Sequence, residues 1–384
     1  MNNALFALGF RIFFASSAVF AVLTMTWWMG IFGFGIGAGK LNMAPLYWHG
    51  HEMVFGYSMA VVAGFLLTAV QNWTKQPMPH GRALFVIWLP WLLARLLFAF
   101  GTWIGLAMAL DVLFGCLLVY AVGKPVFAVK QWRQMGILSK LVLMVIANLL
   151  FIAGTYRWLA LGQHWGLYLG VFVILALLLT IGRRVTPFFI QNATGATLRN
   201  SALVDRLSLF SFFAFFVLEV FTPWHTLASW CALAAALANG YRLIGWHTPK
   251  LWRIPLLWSM YLSLWAVVAG FLMYFLRLWL PIAPSLAMHM LALGGIGIMT
   301  FSMIGRVSLG HTGRNIHAPP KRLVIGFYLL LLALLFRVIM PLFLPSQYLV
   351  WMIHAQALWI IAFILMVTAY ARIWATPRPD GRPG

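Results

Sequence analysis

The chain has 384 residues, of which 64% are hydrophobic and only 8% charged, and its mean hydropathy is +0.94. About a quarter of an ordinary soluble chain is charged, so this composition excludes a water-soluble globular protein and defines an integral membrane protein. The formal charge of +21 comes from 26 Lys and Arg against five acids; the basic residues lie in short clusters between apolar runs, which is a topology signal and not a nucleic-acid interface.

Apolar runs bounded by polar, Pro or Gly clusters predict an all-α polytopic membrane protein. Twelve transmembrane spans are expected, at roughly 11–33, 53–71, 84–103, 105–123, 138–159, 165–182, 206–222, 225–242, 254–278, 283–303, 322–344 and 347–371. The N-terminal stretch MNNALFALGFRIFF leads into a run too long for a signal-peptide core and reads as a retained first span. Placing the N-terminus in the cytoplasm puts Lys75 and Arg82, then Lys124, Lys130 and Arg133, on that side. Arg183, Arg184, Arg199 and Arg206, then Arg242, Lys250 and Arg253, and finally Arg306, Arg314, Lys321 and Arg322 follow them there. Only Lys40, Arg157 and Arg277 fall outside, so both termini are expected in the cytoplasm. Residues 1–371 read as one membrane domain, two sets of six spans joined by the 183–205 loop, and 372–384 as a flexible cytoplasmic tail.

The second span opens on a polar cluster. In WHGHEMVFGYSMAVVAGFLLTAVQNW, His49, His51 and Glu52 stand at the lip of an apolar run that fits one bilayer crossing. Placing such groups against hydrocarbon is costly, and their presence there marks a site. With the chain oriented as above, His49, His51, His164, His225, His289 and His354 fall near the outer ends of spans, whereas His80, His247, His311 and His317 fall in cytoplasmic loops. His51, His289 and His354, on the second, tenth and twelfth spans, are expected at similar depth. Imidazoles at one level, with the carboxylate of Glu52 close by, suit haem iron or copper better than a hard cation. His49 and His51 are two apart and point to different faces of a regular helix, so they line one site only where the helix starts near His51. An interfacial histidine is also an ordinary amphipathic side chain at headgroup level, which is the reading for His164 and His225.

Arg95, Glu219 and Arg337 lie within or near the ends of apolar runs, where an unpaired charge is expensive. With so few acids in the chain, haem propionates are candidate partners for Arg95 and Arg337, beside snorkelling or backbone carbonyls. Four cytoplasmic motifs, QNWTKQPMPHG (71–81), GRRVTPFFIQNATG (182–195), NGYRLIGWH (239–247) and GRVSLGHTGR (305–314), read as loops. The last of them lacks the spacing and lysine of a phosphate-binding loop. Cys116 and Cys231 stand alone within apolar runs and form no metal or disulfide motif.

The segments WHGHEMVFGYSMAVVAGFLLTAVQNWT, GRRVTPFF, NGYRLIGW, MHMLALGGIGIMTFSMIGRV and SLGHTGR together resemble the NnrS family of bacterial inner-membrane proteins, collinearly over nearly the whole chain. The resemblance implies a twelve-helix protein containing haem and copper, associated with denitrification and with resistance to nitric oxide. It gives no ligand assignment, so the candidate ligands are those of the sequence: His49, His51, His289 and His354, with Arg95 and Arg337 for haem b carboxylates and Glu52 as a proton donor. The expected function is a haem membrane redox protein, with one or two haem groups, acting on nitric oxide or iron-nitrosyl products. His51 and His289 are the expected axial ligands, His49 or His354 holds a second haem or a copper, and quinol is a candidate electron donor. The alternative is a twelve-span secondary transporter without haem, a common layout for two sets of six spans.

Overall fold

The computed structural model describes residues 4–37, 41, 43–101 and 103–381. Lys40, Thr102 and Arg382, used above in the topology and span readings, lie outside the described residues. Among the described residues, eleven helices are long and apolar enough to cross a membrane. These are α1 (Gly9–Phe34), α2 (Pro45–Thr74), α3 (Gly81–Phe100), α4 (Ile104–Ala128), α5 (Trp132–Thr155), α6 (Gly162–Thr194), α8 (His225–Trp246), α9 (Pro255–Leu276), α10 (Pro284–His311), α11 (Lys321–Phe343) and α12 (Pro345–Ala375). The helix at the expected seventh span, α7 (Ala202–Phe221), also forms and is set apart by three charged residues, Asp205, Arg206 and Glu219. No strand occurs among the described residues, so the protein is an all-helical, multi-pass membrane protein.

Local chemistry sets the helix ends. Proline at the first turn starts α2, α9, α10 and α12, where its missing N–H is no loss. Left-handed residues stop several others: Lys75 after α2 at φ 57°, Gly195 after α6 at φ 69° and Gly313 beyond α10 at φ 68°. Because nothing interrupts the backbone before those stops, the motifs expected as loops are mostly helical. QNWT is the last turn of α2, residues 182–194 continue α6, NGYRLIGW ends α8, and GRVSLGH ends α10. The expected 183–205 loop is thus helical as far as Thr194.

The helices group into two compact units. The first comprises Met1–Ile174, Ile304–Gly326 and Trp359–Gly384; the second comprises Leu175–Met303 and Phe327–Leu358. In the first unit, the buried Arg11 of α1 donates to the carbonyls of Ile373, Trp374 and Thr376 at 3.1, 2.9 and 2.7 Å. A guanidinium thereby satisfies the orphan acceptors at the C-terminus of α12. Arg378 in turn donates to the carbonyl of His311 at 3.1 Å and pairs with Asp380, so the tail read as flexible is tied down through these residues.

Glycine governs how closely helices of the first unit approach. Gly162, Gly166 and Gly170 recur every fourth residue on α6, the small-residue spacing that lets membrane helices pack backbone to backbone. A Cβ at Gly166 would overlap the backbone of Ala147 and Phe151 on α5, and one at Gly170 would meet Val54 and Phe55 on α2. In the second unit, Gly270 of α9 lies against Leu291 of α10, and Gly294 and Gly295 of α10 lie against Ala266 and Val267 of α9.

Gly166→Leu is expected to destabilise the protein by about 1–3 kcal/mol or more, because overpacking forces the backbone of α5 away. Thermal unfolding of the detergent-solubilised protein measures this, and an unchanged midpoint would contradict the close crossing.

Candidate functional site

Helix α2 is not uniformly α-helical. It is α-helical over Pro45–His51, widens to a π-helix over Glu52–Ser58 and resumes as α-helix from Met59. The Ser58 hydroxyl donates to the carbonyl of Met53 at 2.7 Å, and the indole N–H of Trp91 donates to the carbonyl of Gly56 at 2.9 Å. Two carbonyls of the widened turn therefore find donors outside the helix ladder. Such π segments are concentrated at functional sites. The other two among the described residues are Met290–Gly297, directly after His289, and Leu335–Ile339, which contains Arg337.

The π segment of α2 presents its polar groups inward, to α3, α4 and α5. His51 has no exposed surface and Glu52 almost none. The Nδ1 of His51 lies 3.0 Å from Oε1 of Glu52; its Nε2 lies 3.4 Å from Oδ2 of Asp111 on α4 and 3.4 Å from Oδ1 of Asn148 on α5. Arg95 of α3 joins the two carboxylates, donating from Nη1 to Glu52 at 2.6 Å and from Nη2 to Asp111 at 2.5 Å. The amide of Asn148 donates to Asp111 at 3.1 Å. Phe55, Phe98 and Phe151 pack their rings 4.8–4.9 Å from the imidazole. Gly56 makes room for the guanidinium, since a Cβ there would meet Phe20 and Nη1 of Arg95. Two carboxylates, one guanidinium and one imidazole are thus enclosed by aromatic rings in a medium that strengthens each pairing and penalises each vacancy.

Asp111 and Asn148 were not singled out in the sequence. The available signal was that Asp111 is one of only five acids and the only acidic residue of its apolar run. Arg95, for which a haem propionate, snorkelling or backbone carbonyls were the candidate partners, is paired here with the chain's own Glu52 and Asp111. His49 falls outside this cluster and stacks on Trp28 at 4.4 Å between ring centroids, nearly parallel. The different surroundings of His49 and His51 follow from their spacing on one helical turn.

The other candidates belong to the second unit. His289 directs Nδ1 to the carbonyl of Ser285 at 2.7 Å, and Nη2 of Arg337 lies against the imidazole, 2.9 Å from Nδ1 and 3.2 Å from Nε2. A donated Nδ1–H leaves Nε2 as the acceptor of the Arg337 bond. His354, exposed, directs Nδ1 to the carbonyl of Val350 at 2.8 Å and lies beside Phe336. Glu219 pairs with Arg277 at 3.3 Å and with His225 at 3.2 Å, which gives its intramembrane charge a structural partner. His164 packs on Tyr168.

No group of three or more His, Cys, Asp or Glu side chains is arranged to hold a metal ion among the described residues, so the fit of haem or copper is a question of single imidazoles. A metal-binding histidine typically donates one ring N–H to a carbonyl or carboxylate and offers the other nitrogen. His354 meets that condition through the carbonyl of Val350, whereas His289, anchored by Nδ1 on the carbonyl of Ser285, has Arg337 at its other nitrogen. His51 has both ring nitrogens engaged, and an axial role for it would require the cluster to open.

These features define a class: a polytopic helical membrane protein with a closed imidazole, carboxylate and guanidinium cluster on one helix and carbonyl-anchored histidines on others. The family model described as NnrS protein matches residues 4–378, nearly the whole chain, and the chain belongs to the NnrS family. Membership ties it to the nitric oxide response. No curated protein matches the sequence.

Replacing Asp111 by Leu leaves Arg95 with half its counter-charge in a buried site, and a loss of about 3–5 kcal/mol is expected. Asn148→Ala, which removes only a neutral partner, is expected to cost about 1–3 kcal/mol. Thermal midpoints in that order support the cluster; equal midpoints for both variants and the wild type would refute it.

Proposed function

We propose that this chain is a twelve-span protein of the bacterial inner membrane, with both termini in the cytoplasm, that binds haem b and copper and acts on nitric oxide or iron-nitrosyl products. Counting α7, whose length and apolar content match the other eleven, supports twelve spans. Its costly side chains are matched, Asp205 by Arg242 at 2.8 Å and Glu219 by Arg277. The clustering of Lys and Arg in alternate connections supports the orientation.

The observation that carries the functional reading is the cluster around His51. Glu52 and Asp111 bring two carboxylates against the one guanidinium of Arg95, and the ring nitrogens of His51 face one carboxylate each, Nδ1 at 3.0 Å from Glu52 and Nε2 at 3.4 Å from Asp111. An imidazole set between two carboxylates makes the cluster a place suited to exchanging a proton inside the hydrocarbon. Reduction of nitric oxide consumes protons as well as electrons, and Glu52, 3.0 Å from Nδ1 of His51, is the proposed donor of the group once it has taken up a proton through that contact. An apolar cavity lined by Phe55, Met59, Phe114 and Met144 ends on Asp111 and Asn148. Nitric oxide, small and membrane-soluble, needs no polar channel to reach such a place.

Haem, when bound, supplies the nitric oxide binding and electron-transfer chemistry. His354 is the proposed ligand with the best local geometry, and His289 is a second one that would have to release its contact with Arg337. His49 is the candidate for a second metal, and His51 takes an axial role only by giving up one of its carboxylate bonds. A membrane quinol is the proposed electron donor.

Purified protein is expected to give a pyridine haemochrome spectrum of haem b, and His289→Ala and His354→Ala to bleach or shift its absorbance. A colourless, metal-free preparation would overturn the reading in favour of a transporter. With haem present, failure to consume nitric oxide in the presence of a quinol would restrict the role to binding.

A further inference from the structure

Two stretches of the chain repeat one another. Both α2 and α10 start on a proline, Pro45 and Pro284, and reach a histidine, His51 and His289, that directly precedes a π segment. A glycine follows each histidine at the same interval, Gly56 and Gly294, and a threonine follows at the same longer interval, Thr74 and Thr312. Each threonine hydroxyl donates to the carbonyl four residues earlier, Val70 at 2.8 Å and Ser308 at 2.6 Å, and each is followed by a left-handed residue. The connectors QPMPHGR and NIHAPPKR both contain a histidine and two prolines, and both end on an arginine in the first turn of the next helix. That next helix then carries an arginine within its apolar run, the buried Arg95 on α3 and the half-buried Arg337 on α11. The end of α6 shares the signature, QNAT followed by left-handed Gly195 matching QNWT followed by left-handed Lys75. Spacing, π segment, cap and connector together mark a recurring four-helix module, and they make His51 with Arg95 the counterpart of His289 with Arg337.

The two pairs differ in their anions. Glu52, next to His51, is replaced by Met290 next to His289, and α12, which corresponds to α4 with its Asp111, contains no Asp or Glu. The five carboxylates of the chain are all committed elsewhere: Glu52 and Asp111 to Arg95, Asp205 to Arg242, Glu219 to Arg277 and Asp380 to Arg378. Arg337 touches His289 through Nη2 and its guanidinium also faces the hydroxyl of Tyr348, a neutral partner, while its Nη1 is shut away from solvent without a hydrogen-bond partner. An arginine so placed in a membrane span is expensive unless an anion meets it.

We infer that Arg337 and His289 form a binding site for a planar two-oxygen anion, either nitrite or the carboxylate of a larger ligand, in the role that Glu52 and Asp111 play around Arg95. The guanidinium offers Nη1 and Nη2 as a fork matched to two oxygens. His289, with Nδ1–H on Ser285, orients the guanidinium through its Nε2. The inference does not depend on haem binding, although a haem propionate is one source of such a carboxylate.

The test uses the full-length protein in lipid nanodiscs, as isolated and after haem removal, titrated calorimetrically with formate and with nitrite. Haem-free protein is expected to bind both probes competitively at one site per chain. Arg337→Gln is expected to weaken binding by about tenfold to a hundredfold, the effect of losing a charge-assisted pair. Met290→Glu, which restores the carboxylate of the first module, should abolish probe binding and raise the thermal midpoint. Binding in the as-isolated protein as well identifies a free anion as the occupant; binding only after haem removal identifies the cofactor's carboxylate. Absence of binding in haem-free wild-type protein, or wild-type binding in either variant, would overturn the proposal.

Discussion

A charge enclosed by hydrocarbon has to be matched by an opposite charge at hydrogen-bonding distance, and this chain has few anions with which to do it. The cluster on α2 is organised by that constraint. Arg95 spans two carboxylates that come from different helices, and Glu52 and Asp111 are each held by a second partner, His51 and Asn148. Because the guanidinium, imidazole and amide reach the carboxylates from α3, α2 and α5, the pairing also fixes how those helices pack. The same requirement explains Arg242 with Asp205 and Arg277 with Glu219 in the second unit.

Packing makes the cluster attainable. Glycine at 162, 166 and 170 lets α6 run against α5 and α2, which presses Phe151 and Phe55 onto the imidazole of His51. The π turn after His51 leaves backbone carbonyls for Trp91 and Ser58, and Gly56 leaves space for the guanidinium. Small residues, a widened turn and aromatic walls thus produce a polar interior without a polar surface. A site built this way is rigid and dry, conditions in which a proton can be held and in which small electrostatic differences have large effects.

The α2 pattern recurs in α10, so the polar groups of both units follow one sequence plan. One copy encloses its guanidinium between two carboxylates; the other keeps the imidazole and the guanidinium and lacks the carboxylates.

Much of this was legible in the sequence. Composition, run length and the basic clusters determined an all-helical membrane protein and the approximate helix positions, because hydrocarbon admits only long apolar segments with internally satisfied backbones. The position of His51 and Glu52 at a helix lip, and of Arg95 and Arg337 within spans, was equally readable, since charges in such runs are conspicuous. Helix ends were less so: QNWT, GRRVTPFF and GRVSLGH look like polar loops, yet their backbone continues until a left-handed residue stops it. What only the tertiary structure decided was which groups meet. Asp111 and Asn148 lie far along the chain from His51 and reach it because α4 and α5 pack against α2. Arg95 is satisfied by carboxylates of its own chain, a fact that spacing along one helix cannot contain. His49 and His51, adjacent in the sequence pattern, are separated by helical rotation into a ring stacked on Trp28 and a ring enclosed among charges.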